Sequence, residues 1–337
     1  MTQMTKQERI RQTKKKMLIG GLVLFALLLA GSVVTAVIAQ TRKHKREQLE
    51  LEKELGVIEY NDVKYEPKHN IETYLFIGVD KFGKVEKIDE FGDAGQCDVI
   101  IVMVRDLTEG TYKLLNINRN TMAEVDSIDI DGNILATTTV QLALAHARGD
   151  GVEGSCENTV NAISNFLGGQ RIDGYAAVNM DALTIINDAV GGVTVTLNED
   201  FTHVDKSMKK GETIRLKGKQ AEIFVRSRMN MEDGSNENRI ERENQFIDAL
   251  MPLLKEKCVN DNSFPVDVYN ELKPYMVTNI GMSKFSKIAL LAAKDKGDGM
   301  LTLEGESKVG ADGTAEYYVD EDNLQQTIIE MFYKQYK

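Results

Sequence analysis

Thr73–Asp80 reads TYLFIGVD and Cys97–Val104 reads CDVIIVMV; two short apolar runs, each joined to an aspartate, decide the fold. Their length and their β-branched and aromatic content mark buried strands rather than helices. Tyr112–Asn118 (YKLLNIN) is a third run and ends at Arg119. Asp80 and Arg119 follow the last residue of a strand, and Asp98 precedes one. Antiparallel pairing of the first two strands through the 81–97 loop brings Asp80 and Asp98 to one sheet edge. Ligands of open α/β sheets gather where strand ends open into loops.

Downstream, helical and strand signals alternate. Val140–Ala147 is apolar and small and reads as helical. Ser155 is an N-cap candidate for a helix over 156–167, stopped by Gly168-Gly169. Asp181–Val190 reads as a helix stopped by Gly191-Gly192, and Val193–Leu197 as an alternating strand. Arg239–Lys257 is a strongly amphipathic helix, with Ile240, Phe246, Ile247, Leu250, Leu253 and Leu254 at helical spacing. The rest, 260–337, holds a helix near 283–294, a strand near 299–304 and a helix from Asp322.

Upstream, Met17–Ala39 is uncharged and mostly apolar, 23 residues long. At 1.5 Å per residue it spans a hydrocarbon core of about 30 Å. An uncleaved anchor is the expectation; a cleaved signal peptide, with Val37-Ile38-Ala39 as its end, is the alternative. Six basic residues against Glu8 in the first 16 favour a cytoplasmic N-terminus. The expected order is a cytoplasmic tail (1–16), a transmembrane helix (17–39), a juxtamembrane stalk (40–71) and an extracellular domain (72–337) at the cell membrane.

The chain of 337 residues carries a net charge of −11, and the basic N-terminus leaves the remainder more acidic still. A surface of that sign excludes nucleic acid as a partner, because phosphate contacts need a basic footprint. Cys97, Cys156 and Cys258 allow at most one internal bridge. A Cys97–Cys156 bond and three ordinary thiols are both open readings. No CxxC, HExxH, GxSxG or Walker lysine motif is present. His146, in an apolar stretch, reads as a packed histidine rather than a base.

Arg226, Arg228, Arg239 and Arg242 stand out in so acidic a chain. Arg239 and Arg242 are three apart and share a helix face, with Glu243 beside them. One reading pairs these arginines with Glu232, Asp233, Glu237 and Glu241 at the surface. The other brings them together on phosphate oxygens, which guanidinium forks match bidentately. Asp80 and Asp98 alone would repel a diphosphate. A Mg²⁺ ion, or Mn²⁺ in its place, removes that conflict, because it binds through one or two carboxylates plus phosphates and water.

At these residues the chain resembles the LytR-CpsA-Psr family of envelope phosphotransferases. Leu75–Asp80 looks like the family's first strand with its metal-binding aspartate, and Cys97–Val102 like its Ser-Asp-Thr strand. Asn118–Met122 resembles its Pro-Arg-Asp-Thr motif, and Asn187–Val193 its Val-Asp-x-x-Gly-Gly-Val stretch. Lys217–Ala221 with Val225–Arg228 resembles Gly-x-Gln-Ala…Arg-x-Arg, and Arg239–Glu243 resembles Arg-x-x-Arg-Gln. Four positions depart from the pattern: Phe82 for arginine, Asn120 for aspartate, Gln141 near a lysine, and Glu243 for glutamine.

The resemblance implies an α/β/α sandwich around a mixed sheet, with an apolar tunnel for a polyprenyl tail. Asp80 and Asp98 would hold the metal, and Arg119, Arg226, Arg228, Arg239 and Arg242 the phosphates; Asp98 and Arg119 would be catalytic. It further implies transfer of a glycopolymer from a polyprenyl diphosphate carrier to peptidoglycan at the membrane. Two alternatives follow from the same residues: a non-catalytic lipid-binding scaffold, suggested by Asn120 and Glu243, and a lipid pyrophosphatase with water as acceptor.

Overall fold

The computed structural model describes residues 40–43, 45–46, 48–88, 93–129, 133–227 and 236–336; the side chains of 236, 237, 239, 240 and 298 fall outside that set. The Met17–Ala39 segment therefore lies outside the described residues, and so does Arg228. Among the described residues no helix is long and apolar enough to cross a membrane.

The chain divides into two compact units. The first comprises residues up to Pro67 and those from Lys334 onward. Its described part has helical residues 40–43, 45–46 and 48–54 and a hairpin, Ile58–Tyr60 with Val63–Pro67, joined in one sheet by the strand Tyr333–Gln335, which crosses the boundary between the units. Asn61 and Asp62 make the two-residue hairpin turn at φ of 51° and 61°. Their short polar side chains tolerate that left-handed backbone. Glu52, buried in this unit, is bound by Lys64 at 2.6 Å. Residues 40–71 thus hold a helix, a hairpin and the first residue of the next strand.

The second unit, Lys68–Tyr333, is built on a six-stranded mixed sheet. The strand order is Met276–Thr278, Gly174–Asn179, Ile71–Val79, Cys97–Asp106, Thr111–Asn116, Lys296–Thr302. Ile71–Val79 pairs antiparallel with Cys97–Asp106 and parallel with Gly174–Asn179. This matches the expected antiparallel pairing of the first two apolar runs.

Both sheet faces are covered, as the apolar runs require. Leu75, Ile77, Val79, Ile100, Val102 and Val104 pack on one face with Ile163, Leu167, Ile328 and Phe332. These come from the region of helices Glu153–Phe166 and Glu321–Phe332. Tyr74, Phe76, Met103, Leu114 and Ala176 face the other way, toward Phe285, Ile288, Val268 and Leu272. The second set lies on helices Met282–Ala292 and Phe264–Leu272. Helix on both faces of a mixed sheet is the expected α/β/α arrangement.

A satellite cluster forms around Phe201, Phe224, Phe246 and Leu250, between the hairpin Thr194–Thr196/Thr213–Arg215 and helices Lys219–Arg226 and Asn236–Asn260.

Three local expectations change. Val140 belongs to the strand Ile134–Gln141, paired with Met122–Ile128, and helix begins only at Leu144. Ser155 is not the N-cap: its helix starts at Glu153, and the Ser155 hydroxyl accepts the Gly151 N–H at 2.7 Å. No Cys97–Cys156 bond forms; all three cysteines are buried free thiols.

Candidate functional site

Strict alternation along the second strand would turn Asp98 to the same face as Ile100, Val102 and Val104, into the core. A β-bulge prevents this. Gly78 pairs with Val99, but Val79 pairs with Cys97, so Asp98 is the extra residue. A bulge re-aims the side chains around it. The bulge brings Cys97 onto the core face, and Asp98 joins Val99 in the lining of a cavity on the opposite face. Beyond the bulge the Asp80 N–H still reaches the Gln96 carbonyl at 2.9 Å, which holds the two aspartates on adjacent strands at one end of the sheet.

Arg119 comes from a tight turn after the third strand. Thr121 N–H returns to the Asn118 carbonyl at 2.9 Å, and the Asn118 side chain accepts the Asn120 N–H at 3.0 Å. The Arg119 carbonyl accepts from Ala143 N–H. This fixes the guanidinium, which donates to both Asp98 and the Gln96 side chain. Its Nε is buried and has no hydrogen-bond partner among the described residues. A buried guanidinium N–H left without an acceptor is costly, and an anion at this point would satisfy it.

Arg226 ends the helix Lys219–Arg226 and donates to Asp80 at 2.6 Å, with Glu222 at 3.8 Å. The guanidinium lies over the Phe82 ring, 4.7 Å from its centroid. Among the described residues, Asp98 is thus held by an arginine from the next strand's end and Asp80 by one from far along the chain.

The other two expected phosphate ligands fall differently. Arg239 lies on the helix Asn236–Asn260, but its side chain is outside the described residues, like all of Arg228. Arg242 is corrected outright. It is only 2% exposed, ion-paired with Glu199, bound to the Ser227 carbonyl at 2.5 Å and stacked near Phe201. Hydrophobic packing on that helix face pulls the arginine inward, and a buried guanidinium needs its own carboxylate. No surface is left on it for a phosphate oxygen.

The cavity that Asp98 enters has a volume of about 440 Å³. Its walls are apolar: Phe76, Ile101, Ala176, Leu183, Met251, Leu254, Phe285 and Met300 among others. At the end of the first strand the lining changes to Asp98, Asn179, Arg226 and Glu243. Sheet and helices therefore enclose a greasy space with a charged rim, suited to a ligand with an apolar body and an anionic head.

The donor set at the rim suits a hard cation. Asp80 and Asp98 offer carboxylate oxygens, and the neighbouring Cys97 offers no thiolate, because burial pushes its thiol up to about 12. Among the described residues no group of three or more His, Cys, Asp and Glu could hold a metal alone. Two carboxylates with positions left for water and phosphate is a Mg²⁺ pattern, not a zinc one. His146 is buried, its Nδ1 lies 3.1 Å from the Gly95 carbonyl, and burial lowers its pKa. It props the loop that carries Gln96, as a packed histidine would.

Sequence reading missed Gln96, which shares Arg119 with Asp98. No motif singles it out; its role arises only from the ladder position opposite Asp80.

A mixed α/β/α sheet with an apolar cavity and an arginine-paired aspartate rim defines the structural class. Residues 32–332 match the LytR_cpsA_psr family model, and the chain belongs to that family. Among its relatives, a polyisoprenyl-teichoic acid–peptidoglycan teichoic acid transferase TagU from Halalkalibacterium halodurans is 29% identical over 158 residues, 47% of either chain. The chain thus spans about half the length of that relative. The TagU of Bacillus anthracis is 26% identical over 317 residues, covering 91% of this chain and 93% of its own. The crystal structure of Bacillus subtilis TagV shares the fold with a TM-score of 0.57 at 21% identity, over 78% of this chain and 97% of that one. TagT bound to LI-WTA superposes with a TM-score of 0.56 at 20% identity, over 78% and 89%.

Proposed function

We propose that the protein transfers a glycopolymer from a polyprenyl diphosphate carrier to peptidoglycan or another wall acceptor, with Mg²⁺ bound at Asp80 and Asp98. One observation carries this reading: the apolar cavity ends at Asp98 and Arg226, which are ion-paired to Arg119 and Asp80 just behind them, and the buried Arg119 Nε–H has no acceptor among the described residues. The TagU and TagV relatives, which are polyisoprenyl-teichoic acid–peptidoglycan teichoic acid transferases, support it.

In this reading the prenyl tail lies in the cavity and the diphosphate at the rim. The acceptor hydroxyl oxygen forms a bond to the sugar-proximal phosphorus. The bond from that phosphorus to the bridging oxygen breaks, and polyprenyl phosphate leaves with the electron pair. Arg119 and Arg226 turn from their carboxylates to the phosphate oxygens and stabilise the charge that develops there. The metal would screen the aspartates from the diphosphate and act as a Lewis acid. Asp98 is the best-placed carboxylate to take the acceptor proton. The domain would stand on the outer face of the membrane, anchored by Met17–Ala39 with the N-terminus in the cytoplasm.

The test is turnover of a polyprenyl-diphosphate-linked glycan by the full-length protein in detergent. Asp98→Ala and Arg119→Ala are expected to lower the rate by at least about a hundredfold, the usual cost of removing one preorganised charge from such a site. Rates like wild type in both variants would exclude the mechanism.

A further inference from the structure

We propose that Phe82 is a sugar platform, which makes the ring, Arg226 and Asp80 one composite subsite for a pyranosyl diphosphate. This rests on the function proposed above and names the part of the carrier that the rim reads.

Phe82 is 52% exposed and lies against Arg226, which lines the charged end of the cavity. Exposure of a large apolar side chain is unremarkable in a loose loop, but this loop is pinned on both sides of the ring. Met180 N–H donates to the Lys81 carbonyl at 3.0 Å, and Gly83 N–H donates to Asp181 at 2.7 Å. The Asn179 side chain also donates to the Gly83 carbonyl. The ring is therefore held out in water by the fold.

One face of the ring is taken by the Arg226 guanidinium, 4.7 Å from the centroid. The same guanidinium is 2.6 Å from Asp80. A phosphate bound by Arg226 thus lies beside the ring, and the sugar it carries is one P–O–C linkage further on. A pyranose has a face of axial C–H groups that is apolar, and an exposed aromatic ring is the surface such a face stacks on. Aromatic side chains act in the same way as platforms for nucleobases.

An exposed aromatic can also anchor a protein at a membrane interface. Here Arg226 lies on the ring and Asp80 and Lys81 directly precede it in the chain, and inserting it into lipid would drag those charges out of water. Stacking a sugar leaves them solvated. The sugar is the occupant the charges favour.

The test measures binding of two probes to the full-length protein in detergent with Mg²⁺: polyprenyl diphosphate, and the same lipid carrying one N-acetylglucosamine. Phe82→Ala and Phe82→Leu should weaken the sugar-bearing probe by about tenfold, the scale of one aromatic stacking contact. Both should leave the sugar-free probe within about twofold, and Phe82→Trp should retain the sugar-bearing affinity. Equal losses on both probes would overturn the proposal and reduce Phe82 to a brace for Arg226. So would unchanged affinity for both. If wild type binds neither probe, the underlying function fails and this subsite with it.

Discussion

Two carboxylates at one sheet end repel each other, and each is offset here by a guanidinium: Asp80 by Arg226 and Asp98 by Arg119. In the proposed function such pairs would hold the rim assembled until a cation and phosphates took over both partners. Arg242 shows the opposite use of the same residue type. It is buried against Glu199 and the Ser227 carbonyl, just after the helix that delivers Arg226. Removing one partner of a buried pair strands the other charge, so Glu199→Ala should lower unfolding free energy by about 3–5 kcal/mol in urea titration. A change below about 1 kcal/mol would mean that the pair is solvated. From sequence alone, Arg239 and Arg242 shared a face and looked equivalent. Spacing reports which residues are neighbours; packing of Phe201, Phe224 and Phe246 across three elements is what buries Arg242.

At the scale of elements, the strands were legible because each run is apolar on both faces, which only a sheet covered on both sides demands. The long amphipathic helix was legible from its period. The bulge at Asp98 was not, since one extra residue leaves the composition of a strand unchanged, yet it moves the aspartate from core to cavity. The hairpin Met122–Ile128/Ile134–Gln141 was missed because its second strand is largely exposed and lacks an apolar face to betray it.

The cavity itself depends on small residues in the sheet. Ala176 pairs in register with Phe76 and lines the space. Ala176→Phe should fill part of it and weaken binding of a polyprenyl phosphate at least about tenfold, while Asp80 and Asp98 stay in place. Calorimetric titration with the lipid would check this. Undiminished affinity would place the tail elsewhere.

For the whole molecule, the family match runs over residues 32–332, so it takes in the end of the Met17–Ala39 segment but not the basic tail before it. Met17–Ala39 has the length of a membrane span, and the flanking lysines and arginines set its expected direction. Protease added to intact protoplasts should therefore digest the C-terminal domain and spare an N-terminal tag. Protection of the domain would reverse the topology and separate the rim from wall acceptors. The function rests on one spatial claim, that lipid tail and diphosphate meet where the cavity changes from apolar to charged. A crystal structure of the protein with Mg²⁺ and a polyprenyl diphosphate tests it most directly. The tail should run past Phe76, Ile101 and Ala176, with phosphate oxygens on Arg119 and Arg226 and the cation on Asp80 and Asp98. A lipid bound outside this cavity, or a diphosphate that touches neither aspartate-bound metal nor Arg119, would contradict it.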